Sequence, residues 1–249
     1  SDLGPVLVFV AGYTSDHTSG MGIMDALTQH FTVITFDSRG VGQTTENNPS
    51  KHFTAEQMAD DTVALAKALG FDKAHYCGTS MGGTIVQSVA ARHPGAVDKL
   101  IIAVSTAKWR QAMLRGLSHA LKLRQADAEF DTVVDAFVPW VFGEKFLSNP
   151  KNIEGLKHLM IQDAHPQSVE NQAKQAHALD VWDGRDGLKD IKAETLVLYG
   201  TEDVIVLKYE QDYLVEHIAH ATLKSVPGGH AITVEYPKAT AAAMLEFLL

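Results

Sequence analysis

The chain has 249 residues, enough for one sizeable core, and its 45% hydrophobic and 20% charged content matches an ordinary globular protein, not a disordered one. A formal net charge of −9 argues against nucleic-acid binding, which needs a basic surface. The single cysteine, Cys77, excludes an intramolecular disulfide and a cysteine-based metal cluster, and points to a reducing, cytoplasmic setting.

The chain opens on Ser1 instead of Met, so a natural N-terminus is expected to be missing. The first apolar run, VLVFVAG (residues 6–12), lacks a basic leader and a cleavage site, so it is not a signal peptide. No apolar run reaches the roughly 18 residues needed to span a bilayer. It reads instead as the first of six buried strands; the others lie at 31–40, 74–78, 99–106, 195–203 and 221–230. Helical patterns fill the intervals. Residues 54–70 start at a Thr54 cap and stop at Gly70, and residues 81–95 and 239–249 read as further helices. Strand–helix alternation predicts an α/β fold with a mostly parallel sheet and helices on both faces. Residues 107–190 carry only helical and loop pattern, too long for a connection within the sheet, and read as a helical lid. The expected organisation is a core from 1–106 and 191–249, interrupted by that insertion.

Gly78-Thr79-Ser80-Met81-Gly82 matches G-x-S-x-G, directly follows a strand and opens a helix. A chain of this composition would contain such a pentapeptide by chance roughly 0.07 times. The sharp turn strains the serine backbone and leaves no room for side chains two residues either side. No Lys-Ser/Thr follows the glycines, so a nucleotide phosphate loop is not indicated. A serine nucleophile needs a base, and the base an orienting acid. Among twelve histidines, His230 stands out, because it follows Pro-Gly-Gly at the end of the last strand. His30, His52 and His93 read as solvated. Asp203, in YGTED after the preceding strand, is the acid candidate, with Glu202 as its rival. The order Ser80, Asp203, His230 is nucleophile, acid, base.

These residues carry a resemblance to the α/β-hydrolases, in particular the lidded serine esterases. FDSRGVGQT (36–44) resembles the family's turn after its fourth strand, GTSMGG (78–83) its nucleophile elbow, LYGTED (198–203) its acid turn and PGGHAITVEYP (227–237) its histidine loop. The resemblance implies an α/β-hydrolase fold, Tyr13 and Met81 as backbone donors to an oxyanion, and no metal or organic cofactor. It also implies His-Gly where this chain has Ala11-Gly12, and an antiparallel hairpin before Leu3 that has no counterpart here. Loss of that hairpin would expose a sheet edge. Relatives that use aspartate at the elbow, for halide or epoxide chemistry, are excluded by Ser80.

Residues 108–125, KWRQAMLRGLSHALKLRQ, hold five basic residues and no acidic one. As a helix, they would place Lys108, Arg115 and Lys122 on one stripe, opposite Met113, Leu117, Ala120 and Leu121. The stripe is either a solvated face or a dock for an acidic partner, for which an acyl carrier protein suits better than a membrane. Trp109, Phe137, Trp140 and Phe142 are expected to line the inner face of the lid around an acyl group. The expected activity is carboxylic ester hydrolysis through an acyl-enzyme. Lid length and QAHALDVWDGRDGLKDI (175–191) are similar to two groups, the 3-oxoadipate enol-lactonases and the biotin-synthesis methyl esterases acting on an acyl carrier protein. A different class, a non-catalytic ligand receptor on the same fold, stays open because fold alone does not settle activity.

Overall fold

The computed structural model of the chain describes residues 4–45 and 52–249. Six strands form in chain order: β1 (Val6–Val10), β2 (Thr32–Thr35), β3 (Ala74–Thr79), β4 (Val97–Ala103), β5 (Glu194–Gly200) and β6 (Ala221–Val226). They pair in the order β2-β1-β3-β4-β5-β6, with every pair parallel. The chain winds outward in one direction from β1 to β2 and in the other from β3 onward. A crevice opens at such a reversal, beyond the carboxyl ends of the strands. Register keeps those ends level: Val10 pairs with Gly78, Thr79 with Ala103, Ala103 with Leu198 and Gly200 with Val226. The loops after β1, β3, β5 and β6 therefore emerge on one rim.

Helices cover both faces. One apolar cluster joins the sheet to α2 (Ala55–Ala68), α3 (Met81–Arg92) and α9 (Lys208–His217), and a second joins it to α1 (Met21–Leu27) and α11 (Pro237–Leu248). Thr54 caps α2 as expected: Gln57 N donates to Thr54 Oγ1 and Thr54 N donates to Gln57 Oε1, each at 3.2 Å. The strands are not all buried on both faces. Residues of β2 are half-buried throughout, and in β6 only Val226 is buried, because both lie at sheet edges. The position before Leu3, where the family's edge hairpin was expected to have no counterpart, lies outside the described residues.

Between β4 and β5 the chain forms α4 (Gln111–Gln125), α5 (Phe130–Val141), α6 (Glu144–Leu147), α7 (Pro150–Ile161), α8 (Val169–Val181) and a 3₁₀ turn at Arg185–Asp190. A short helix, α10 (Ile232–Glu235), follows the histidine loop. Lys108 precedes α4 instead of opening it. A Thr106 turn and a bond from Gly184 N to Ala107 O hold residues 106–108 outside the helix, which breaks the expected Lys108–Arg115–Lys122 stripe. Among the described residues no helix is long and apolar enough to cross a membrane.

Candidate active site

Ser80 joins β3 to α3 at φ 55°, ψ −119°, a conformation L-residues avoid. Its neighbours explain how it is held. A methyl on Gly78 would stand 2.1 Å from the Gly82 carbonyl oxygen, and one on Gly82 would stand 2.0 Å from the Val10 carbonyl oxygen. Backbone therefore presses on backbone from both sides, and Ser80 N donates to Ala103 O at 2.9 Å.

From β6, the 227–231 loop brings His230 Nε2 to 2.8 Å from Ser80 Oγ. His230 Nδ1 lies 2.8 Å from Asp203 Oδ2. An ionised carboxylate only accepts, so Nδ1 carries the proton toward Asp203 and Nε2 accepts from the Ser80 hydroxyl. The other oxygen of Asp203 accepts from the N–H groups of Ile205 and Val206 at 2.8 and 3.0 Å, and the side chain is fully buried. Glu202 points elsewhere, accepting from Glu144 N at 2.9 Å, so the two acid candidates have separate tasks. His52 and His93 are more than solvated: His52 lies against His177 with the rings tilted by 33°, and His93 Nε2 sits 2.6 Å from an Asp60 oxygen.

The insertion grips the histidine loop through its main chain. Val141 O, at the end of α5, accepts from His230 N at 2.8 Å and Ala231 N at 3.0 Å. Glu235 accepts from Gly143 N at 2.8 Å and from Gly229 N at 2.9 Å, one oxygen each. Burial raises the Glu235 pKa despite those two bonds, which favour the charged form. Sequence reasoning noticed Glu235 only as part of a motif; its bridge to Gly143 has no local sequence signal.

On the opposite side, Gly12 lies against Ser80, and a methyl there would stand 3.2 Å from Ser80 Cβ. The N–H groups of Tyr13 and Met81 have no hydrogen-bond partner among the described residues. That of Met81 heads α3, where a helix leaves its first donors free and favours negative charge. Burial pushes the Tyr13 phenol up to about 12, so it stays neutral.

Met113, Gly116, Leu117, Phe137, Trp140, Val141 and Ile205 line an apolar cleft of about 20 Å³. Val141 and Ile205 also bond to His230 and Asp203 through their backbones, so the cleft flanks those two side chains. It has room for about one water, and an acyl group would have to displace side chains. Phe137 and Trp140 are among its lining residues. Trp109 is not, since it lies in the main core and donates from Nε1 to Thr84 Oγ1 at 3.0 Å. Phe142 packs with Val134 and Val138 and stacks on Phe146.

Three of the five cations at 108–125 are occupied. Lys108 pairs with Asp183, Arg110 binds Glu210 and the carbonyls of Val204 and Ile205, and Arg124 binds Gln172 and the Gln167 carbonyl. Arg115 and Lys122 are exposed. Asp16, His17 and Asp37 come close enough to hold an ion, but they are engaged in turns: Asp37 accepts from His17 and Gln43, and Asp16 from Thr18.

A family model described as the alpha/beta hydrolase fold matches residues 5–237. Among curated relatives, 3-oxoadipate enol-lactonase 1 of Acinetobacter baylyi is 26% identical over 235 residues, covering 94% of this chain and 85% of its own. RutD of Caulobacter sp. (strain K31), provisionally named a carbamate hydrolase, is 30% identical over 246 residues, covering 97% and 90%. Among solved structures, the enol-lactonase from Burkholderia xenovorans LB400 is similar at TM-score 0.86 and 24% identity, covering 98% of this chain and 91% of that one. A thermophilic esterase from Thermogutta terrifontis gives 0.85 and 25%, covering 99% and 90%. With its strand order and elbow matching so long a family match, the chain belongs to the α/β-hydrolase fold family.

Proposed function

We propose that the chain is a hydrolase of small carboxylic esters or lactones, working through an acyl-enzyme on Ser80. The observation that carries this reading is the continuous line Ser80 Oγ–His230–Asp203, with both links at 2.8 Å. Ser80 Oγ attacks the carbonyl carbon while its proton passes to His230 Nε2, and Asp203 stabilises the imidazolium that results. The Tyr13 and Met81 N–H groups take the developing oxyanion. A donor of this kind is worth about 10²–10³ in kcat elsewhere. Collapse breaks the acyl C–O bond, and His230 returns the proton to the leaving oxygen. Water then attacks the acyl-enzyme, giving its proton to His230, and the acid is released with Ser80 reprotonated.

The insertion acts as the lid, with Phe137 and Trp140 against the acyl part of the substrate. Small esters and lactones are favoured over an acyl-carrier substrate because the basic segment keeps only Arg115 and Lys122 outside intramolecular pairs. The enol-lactonase and carbamate hydrolase names of the relatives fit attack on an acyl carbonyl.

The test is intact-mass labelling with a fluorophosphonate, comparing the parent with Ser80→Ala. One adduct on the parent and none on the variant is expected. A folded parent that takes no adduct would overturn the reading in favour of a non-catalytic receptor.

A further inference from the structure

The loop after β1 has an unusual support. Gly12 to Ser15 form a tight turn, closed by Ser15 N donating to Gly12 O at 3.2 Å. Its third residue, Thr14, has φ 60°, a region that suits glycine and not a β-branched residue. Ala11 before the turn offers only a methyl group, so no polar side chain at that position stabilises the strained peptide. Support comes from the insertion instead. Gln175, on α8, turns its Oε1 to accept from Thr14 N at 3.0 Å, across 161 positions of chain. The same helix offers the Gln172 carbonyl to the Tyr13 hydroxyl at 3.5 Å.

The burial of Gln175 suggests more than packing. It is 1% exposed, and its Nε2 has no partner among the described residues. Burying an amide to make one bond and leave the other end unpaired is costly for the fold. The bond it does make fixes the central peptide of the turn, between Tyr13 and Thr14. A flip of that peptide would relieve the positive φ at Thr14, and the bond to Gln175 opposes it.

We infer that Gln175 is the positioning residue of the oxyanion loop, holding Thr14 so that the Tyr13 N–H keeps its aim at the site beside Ser80. This rests on the reading of Ser80 as nucleophile and Tyr13 N–H as an oxyanion donor. Gln175 touches no reacting atom. It acts through Thr14, and it makes the helical insertion part of the transition-state machinery as well as a wall for substrate.

The test compares the parent with Gln175→Met, which keeps the volume and removes the acceptor, and with Gln175→Glu, which keeps the acceptor. Hydrolysis of a 4-nitrophenyl ester, the rate of fluorophosphonate labelling and thermal melts are measured for each. Gln175→Met is expected to lose about tenfold in kcat with KM within about twofold, and to label slower in proportion; removing a donor outright costs more. Gln175→Glu is expected to stay within about threefold of the parent. A Gln175→Met protein that melts near the parent and keeps its kcat, or loses only in KM, would overturn the inference while Ser80 still labels. A parent that never labels removes the Ser80 reading first. Should Gln175→Met not fold, Gln175→Asn, whose amide stops one methylene short, must show the same loss in kcat.

Discussion

Around Ser80 the chain is held by contact between main-chain atoms, with Gly78 against Gly82, Gly82 against Val10 and Ser80 N on Ala103 O. The insertion is built differently: α7 buries no residue and α5 buries only Val134 and Val138, against five buried residues in α8. Yet both regions supply the same site. The sheet rim fixes Ser80, and the insertion, through Val141 O and Gln175, holds His230 and the turn at Thr14. Close main-chain contact at the rim and long-range hydrogen bonds from the insertion form a division that mutation can probe.

The largest effect should come from the rim. Gly82→Ala would drive a methyl into the Val10 carbonyl, which cannot yield without moving β1. A loss of about 3 kcal/mol or more in urea unfolding is expected, as for an overpacked core. A loss under 1 kcal/mol would show that the elbow is softer than described. On the insertion side, Gly143→Ala places a methyl 2.8 Å from a Glu202 oxygen and 3.0 Å from Gly229 N. It should spare stability by comparison yet lower kcat about tenfold, because small misplacements of a catalytic group are costly. Steady-state kinetics beside a melt would separate the two.

A subtler probe is pH. The raised Glu235 pKa means that the folded protein binds more protons than the unfolded chain just above the ordinary glutamate range, near ~4.3. Its contribution to stability is therefore present below that range and declines as pH rises through the folded value. The stability difference between the parent and Glu235→Gln should move against the parent as pH rises across that window, read from urea midpoints at successive pH values. A pH-independent difference would show that Glu235 is not desolvated. Smallest of all, Lys108→Ala removes an exposed pair with Asp183, and should cost under about 1 kcal/mol.

Much of this was legible beforehand because it is local. Thr54 and Gln57 lie three apart and cap their own helix, and Gly78, Ser80 and Gly82 answer to a turn that five residues define. Strand ends bring Ser80, Asp203 and His230 to one rim, since a parallel sheet gathers its carboxyl ends there, but they left Glu202 as a rival to Asp203. What escaped depends on partners far along the chain. The start of α4 is displaced by Gly184 meeting Ala107, and Trp109 is drawn into the core by Thr84 on α3. Gln175 is invisible because glutamine has no signature spacing, and its partner, Thr14, lies 161 positions away.

The bond from Val141 O to His230 N has a consequence for how such a protein can diversify. The insertion holds His230 with a peptide carbonyl, a group that every amino acid carries. Substitutions at Phe137, Trp140 or Val141 can therefore reshape the cleft while that anchor is inherited unchanged. A library randomised at these three positions should yield altered substrate preference in many members and loss of the proton relay in few.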